Sequence, residues 1–129
     1  MRQVEFTHRS PLYWLCAVLA VGIFLFGILA LFQPVFGAEL FGSPVKDADG
    51  LRWVRSAGVR DIALGLMLGT VVLLRQKRTV GILILFMIGV PISDAWTVLS
   101  LPGPGYQALL HAGSVLFMVA LAVLLLRRR

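Results

Sequence analysis

The chain has 129 residues, of which 59% are apolar and only 14% are charged, and its formal net charge is +6. A soluble domain of this size cannot bury so much apolar surface, whereas a bilayer accepts it in spans of roughly 20 residues. The composition therefore excludes a soluble fold and predicts an all-α integral membrane protein, a four-helix transmembrane bundle forming one domain over residues 1–129. The basic residues cluster between apolar runs, which is typical of membrane topology and argues against nucleic-acid binding.

The first predicted span covers residues 12–32 and ends before Pro34 and Gly37. It is longer than the apolar region of a secretory signal peptide, about 7–15 residues, and no small-residue cleavage site follows it. We therefore expect it to remain as a transmembrane helix. Its Cys16 is the single cysteine of the chain, which excludes an internal disulfide and a paired-thiol redox site, and we interpret it as a small buried apolar residue.

A long loop over residues 33–51 follows the first span. It contains the sequence FGAELFG, in which Phe36, Leu40 and Phe41 can lie on lipid. Two interpretations are open at this point: a short interfacial segment, which could act as a lid, or a plain connector that tolerates apolar residues.

Three further spans are predicted, over residues 54–74, 79–99 and 106–126. The turn RQKR joins the second span to the third, and the sequence LPGPG, dense in helix breakers, joins the third to the fourth. Pro91 lies inside the third span, where it removes one backbone hydrogen bond and predicts a kink.

The distribution of basic residues predicts the orientation. Eight lie on one side of the membrane (Arg2, Arg9, Arg75, Lys77, Arg78, Arg127, Arg128 and Arg129) and three on the other (Lys46, Arg52 and Arg55). The more basic side is expected in the cytoplasm, so both termini are inside and the loop 33–51 is outside. We expect the protein in the plasma membrane, which for a bacterium is the inner membrane.

Ionisable groups occur at one depth in three of the spans. Measured from the outer ends, Arg60 and Asp61 lie roughly 10 Å into the second span. Asp94 lies roughly 8–10 Å into the third span and His111 roughly 8 Å into the fourth. A lone charge at the bilayer centre costs about 2.5–3.5 kcal/mol on the insertion scale, and partnering lowers that cost. The equal depth therefore predicts a polar cluster in the outer half of the bundle.

The predicted site has two parts. Its acid–base groups are Arg60, Asp61, Asp94 and His111, and the residues predicted to bind a ligand beside them are Arg55, Gln107, Trp96, Trp53, Ser114 and Thr97. Gly58, Gly65 and Gly69 share a helix face with Asp61 and predict close approach of another helix. A structural interpretation stays open: the charges form ion pairs for packing, the arginines at the span end reach toward the headgroups, and the aromatic residues anchor the interface.

The stretch RWVRSAGVRDIALGL, the later SDAW and the histidine early in the last span resemble a widespread group of four-helix membrane proteins catalogued as a domain of unknown function, distantly DoxX-like. The residues that carry this resemblance are Arg55, Gly58, Arg60, Asp61, Leu64, Gly65, Asp94 and His111. The resemblance implies a four-helix fold over nearly the whole chain and supports the position of the site. It implies no settled activity.

Three functions fit the sequence, and whether the protein is an enzyme stays open. The favoured one is a pocket for a lipophilic small molecule, with isomerisation, cyclisation or epoxide opening as candidate acid–base chemistry. A proton-coupled transporter would use Asp61 or Asp94 as the carrier, although the first span lacks the acid that small multidrug exporters use. The third is a structural or accessory subunit, with self-association open. No cofactor or metal is expected, because one intramembrane histidine and two aspartates supply too few ligands, and the single cysteine excludes a quinone reductase of the vitamin K type.

Overall fold

The structure is a computed structural model that describes residues 6–102 and 105–127. Those residues contain no strand and form six helices: α1 Pro11–Phe32, α2 Pro34–Phe41, α3 Ala48–Leu73, α4 Lys77–Met87, α5 Gly89–Leu99 and α6 Gln107–Leu126. Four segments are long and apolar enough to cross a membrane, namely α1, α3, the consecutive α4 and α5 together, and α6. The predicted all-α fold with four spans is confirmed. Arg2, Arg128, Arg129 and the Gly103–Pro104 breakers lie outside the described residues.

Helix α3 begins at Ala48, whereas the sequence predicted a span from about residue 54. The carboxylate of Asp47 explains the earlier start, because it accepts a hydrogen bond of 2.8 Å from the backbone N–H of Gly50 and thereby caps the helix. The first turn also carries Asp49, whose negative charge favours a helix N-terminus. Much of the predicted loop 33–51 is therefore helical.

The short helix α2 occupies the first part of that loop. Pro34 starts it, since proline is pre-organised for the first turn, and Gly42 ends it in the left-handed conformation with φ 98°. The backbone N–H groups of Gly42 and Ser43 both return to the carbonyl of Ala38, at 3.1 and 3.0 Å. Residues Pro34–Phe41 of the loop therefore form an ordered helix, which is compatible with both interpretations of this segment.

Helices α1 and α3 pack along their length through glycines. A Cβ atom on Gly27 would lie 2.6 Å from the carbonyl oxygen of Gly58, and one on Gly58 would lie 2.7 Å from the carbonyl oxygen of Gly27. A Cβ on Gly65 would lie 2.7 Å from the backbone nitrogen of Phe24, whereas one on Gly69 would meet nothing closer than 3.8 Å. The close approach predicted on this face therefore occurs at Gly58 and Gly65, not at Gly69.

The third span is interrupted at Ile88, between α4 and α5. Pro91 accounts for the position of the break: it has no N–H to donate to the carbonyl of Met87, and its ring crowds that carbonyl. Pro91 is itself buried, so the break faces the interior of the bundle.

The bundle is a square of four spans with an apolar half and a polar half. Helices α1 and α3 form one pair, α6 packs on both α4 and α5, and α3 joins the two pairs through α4. The apolar core fills the half near the turn at Arg75, which we name the inner end, with the buried side chains Cys16, Leu68, Val72, Val80, Ile84, Met118, Leu121 and Leu125 among its members. The other half, which we name the outer end, carries α2 and the ionisable groups of the spans.

Candidate functional site

Asp61 lies on the inward face of α3. The buried residues of this helix are Gly58, Asp61, Gly65, Leu68 and Val72, which recur at alternating intervals of three and four. Such spacing keeps one face of a helix toward its neighbours. Asp61 therefore occupies a core position at the level of the glycine contacts with α1, and only 9% of the residue is exposed.

Asp94 and His111 occupy the corresponding faces of the other pair of helices. Asp94 is half-buried between the buried Pro91 and Val98 of α5. His111 is half-buried and follows the buried Ala108 by one turn of α6. Each of these three spans thus directs a polar side chain toward the interior of the bundle, at a level between the apolar core and the outer end.

Arg60 pairs with its chain neighbour Asp61. The Nε of Arg60 donates a hydrogen bond of 2.9 Å to Oδ1 of Asp61. The aspartate side chain is 12% exposed, but the arginine side chain is 46% exposed. The pair therefore extends from the contact between α1 and α3 to the surface of the bundle. Among the arginines of α3, Arg60 is the one that neutralises Asp61.

Asp94 is surrounded by charge and is not paired. Arg60, His111 and Asp61 all lie near its carboxylate. Among the described residues, however, no side chain forms an ion pair or a hydrogen bond with it. Within the described part of the chain, Asp94 is accordingly the one acid of the spans whose carboxylate has no hydrogen bond or ion pair.

His111 joins α6 to the end of α2. Its Nε2 lies 3.0 Å from the backbone carbonyl oxygen of Phe41, and the two rings are 4.7 Å apart between centroids. A carbonyl oxygen can only accept, so Nε2 carries the proton and donates it. When the ring is neutral, its Nδ1 atom is left as an acceptor. One turn earlier, the Gln107 side chain lies against Gly42.

Sequence reasoning missed Phe41 and Gly42 as partners of α6. A glycine after an apolar run that starts with proline is a signal for a short helix, and it was available in the sequence. No sequence signal indicates that the carbonyl at the end of that helix meets His111, because the two residues are 70 positions apart.

The remaining predicted ligand-binding residues do not join this group. Trp53 and Trp96 are 76% and 74% exposed, and Arg55 is exposed as well. The hydroxyls of Thr97 and Ser114 donate to carbonyls of their own helices, at 2.9 and 3.0 Å. These residues were assigned by depth and helical spacing, and their side chains point to the outside of the bundle.

A shallow depression lies further out on α3. It is lined by Asp49, Arg52, Trp53 and Ser56, and Arg52 forms an exposed ion pair of 3.0 Å with Asp49. Trp53 is thus placed in a surface feature about eight residues, or roughly 12 Å of helix rise, from Asp61. Across the described ranges, no three His, Cys, Asp or Glu side chains come together in a way that could hold a metal ion.

The fold and the composition define a small, four-span, all-helical membrane protein. The chain belongs to the family of DUF4267, a domain of unknown function, whose family model matches residues 20–125. The resemblance to a four-helix family of unknown function is therefore confirmed, while the DoxX-like relation and the motif stay predictions. Searches of curated proteins and of solved structures find no match.

Proposed function

We propose that the outer half of the bundle binds a lipophilic small molecule, and that Asp94 and His111 hold its polar group. The single observation that carries this proposal is the state of Asp94. It lies on an inward helix face near Arg60, Asp61 and His111, yet no described side chain pairs with it. Architectural ion pairs partner their members, as Arg60 and Asp61 do, so an unpaired acid beside them favours an external partner.

The charge balance defines the chemistry of that partner. Arg60 and Asp61 neutralise each other, so an ionised Asp94 adds one negative charge when His111 is neutral. A ligand that donates a hydrogen bond to this carboxylate lowers the cost of keeping the charge in the membrane. A hydroxyl group or an amine on an apolar body has this property.

The same residues suggest acid–base chemistry as a second step. Asp94 is positioned to accept a proton from a bound hydroxyl group, and the free Nδ1 of His111 is a second proton acceptor that becomes a donor once protonated. The Nη groups of Arg60, which form no hydrogen bond among the described residues, can donate to an anion that forms between them. Isomerisation, cyclisation and epoxide opening of an apolar substrate all use this combination.

The test compares ligand retention with folding. Asp94→Asn and His111→Gln are purified in mild detergent, and the retained lipophilic molecules are measured by native mass spectrometry beside thermal stability. Matched controls are Asp49→Asn and Ser114→Ala, which make equally conservative changes at exposed positions of the spans. We expect about a tenfold or greater loss of the retained molecule in the two site variants, a free-energy change of roughly 1.4 kcal/mol or more, with folding preserved.

Two outcomes contradict the proposal. If both site variants retain everything that the parent retains, the polar groups do not form the binding site. If both variants fail to fold while the controls fold, the polar groups serve assembly of the bundle, as in the structural interpretation.

A further inference from the structure

Helix α2 is attached to two spans, through its middle and through its last residue. On one side, Gly37 packs against α1 so closely that a Cβ atom there would lie 3.0 Å from Cα of Ala30. On the other side, the carbonyl of Phe41 accepts the hydrogen bond from His111 of α6. A helix held on two different spans does not move away as a hinged lid without breaking one of these contacts.

The turn after α2 brings the end of this helix close to α6. Gly42 has φ 98°, a conformation that favours glycine, and a Cβ atom on it would lie 2.6 Å from Cβ of Gln107. The absence of a side chain at Gly42 therefore lets the first turn of α6 contact the end of α2. This contact and the His111 bond join the end of α2 to α6.

The packing between the spans is loose on one side of the bundle. Helix α3 packs on α1 and α4, whereas α5 packs on α6 and has little contact with α3. The two helices that share little contact are the ones that carry Arg60 and Asp94. The Arg60 side chain is 46% exposed and Asp94 is only half-buried, although both lie inside the spans.

We propose that α2 is a fixed cap and that the site formed by Asp94, Arg60 and His111 is open to lipid at the side of the bundle, between α3 and α5. The ligand then reaches the site from the bilayer and not from water. This inference rests on the proposed function and narrows its ligand to molecules dissolved in the hydrocarbon of one leaflet: an apolar body with one small hydroxyl or amine group.

Quenching of a fluorophore beside the gap tests the direction of access. In a Cys16→Ser background, Ala95→Cys carries a bimane label next to Asp94, which stays intact. The labelled protein is placed in vesicles of a zwitterionic lipid with or without brominated acyl chains, and iodide is used as the aqueous quencher. Leu109→Cys, an exposed position within α6, is the control for lipid access, and Lys46→Cys, between α2 and α3, is the control for water.

We expect brominated lipid to quench the label at residue 95 nearly as strongly as at residue 109, and iodide to quench it far less than at residue 46. Strong quenching by iodide would show that the site opens to water and would overturn the proposal. Absence of quenching by either agent would show a closed interior and would overturn it as well.

A second variant tests the cap. Gly42→Ala places a methyl group against Gln107 and should displace the end of α2. We expect iodide quenching at residue 95 to rise in this variant, with lipid quenching unchanged. If iodide quenching does not rise, α2 does not seal the outer end. Ligand retention by Asp94→Asn is measured separately, so failure of sideways access is distinguishable from failure of the binding site.

Discussion

A methyl group at Gly58 is the sharpest probe of the contact that holds Asp61 in place. The added Cβ in Gly58→Ala would lie 2.7 Å from the carbonyl oxygen of Gly27 and 2.8 Å from the backbone nitrogen of Leu31. Ordinary van der Waals contact begins at 3.4 Å, so α1 and α3 must separate by about 0.7 Å. Both neighbours are backbone atoms, so no change of rotamer relieves the clash.

The size of the effect follows from a matched control. A Cβ atom at Gly22, on the same helix as Gly27, would meet nothing within 4 Å. Replacing glycine by alanine within a helix gains about 0.5–1 kcal/mol, and both variants share this gain. The difference between them is then the cost of overpacking, about 1–3 kcal/mol, with Gly58→Ala the less stable variant.

The assay is equilibrium unfolding in mixed micelles with increasing dodecyl sulfate, followed by circular dichroism. The free energy of unfolding of Gly58→Ala is expected to fall below that of Gly22→Ala by the stated amount. Because Asp61 is one turn from Gly58, Gly58→Ala should also weaken ligand retention at the site. Equal stability of the two variants would refute the close approach of α1 and α3.

Three further predictions concern the break, the ion pair and the orientation. Pro91→Ala restores a backbone hydrogen bond and should straighten the third span. We therefore expect unchanged or higher thermal stability, with weaker ligand retention in native mass spectrometry. Unchanged retention would argue that the break does not shape the site. Arg60→Gln leaves its buried aspartate partner without a counter-charge and should lower the free energy of unfolding by about 2–3 kcal/mol in the same assay. This cost is below the roughly 3–5 kcal/mol of a fully buried pair because the arginine is half exposed, whereas Arg52→Gln should cost about 0.5 kcal/mol or less. Equal costs of the two variants would contradict the difference in burial. In intact cells, a membrane-impermeant maleimide should label a cysteine at Lys46 and not one at Gln76, and the reverse pattern would refute cytoplasmic termini.

The sequence by itself determined the number of spans and the depth of their polar groups. Runs of about 20 apolar residues need a bilayer, and the rise of a helix converts residue number into depth. The residue numbers alone therefore predict one level in the membrane for Asp61, Asp94 and His111. The sequence also predicts the break near Pro91, since the break follows from the missing N–H of proline.

Only the tertiary structure decided which side chains face inward and which residues meet. In a soluble helix the apolar stripe marks the buried face, but lipid is as apolar as the interior, so membrane helices are apolar on all sides. Helical spacing and depth accordingly predict Trp96, Thr97 and Ser114 at the site, although these residues are exposed on the outside of the bundle. The partners of Gly58 and His111, which are Gly27 and the carbonyl of Phe41, lie on other helices, and their contacts depend on how the spans are arranged around one another.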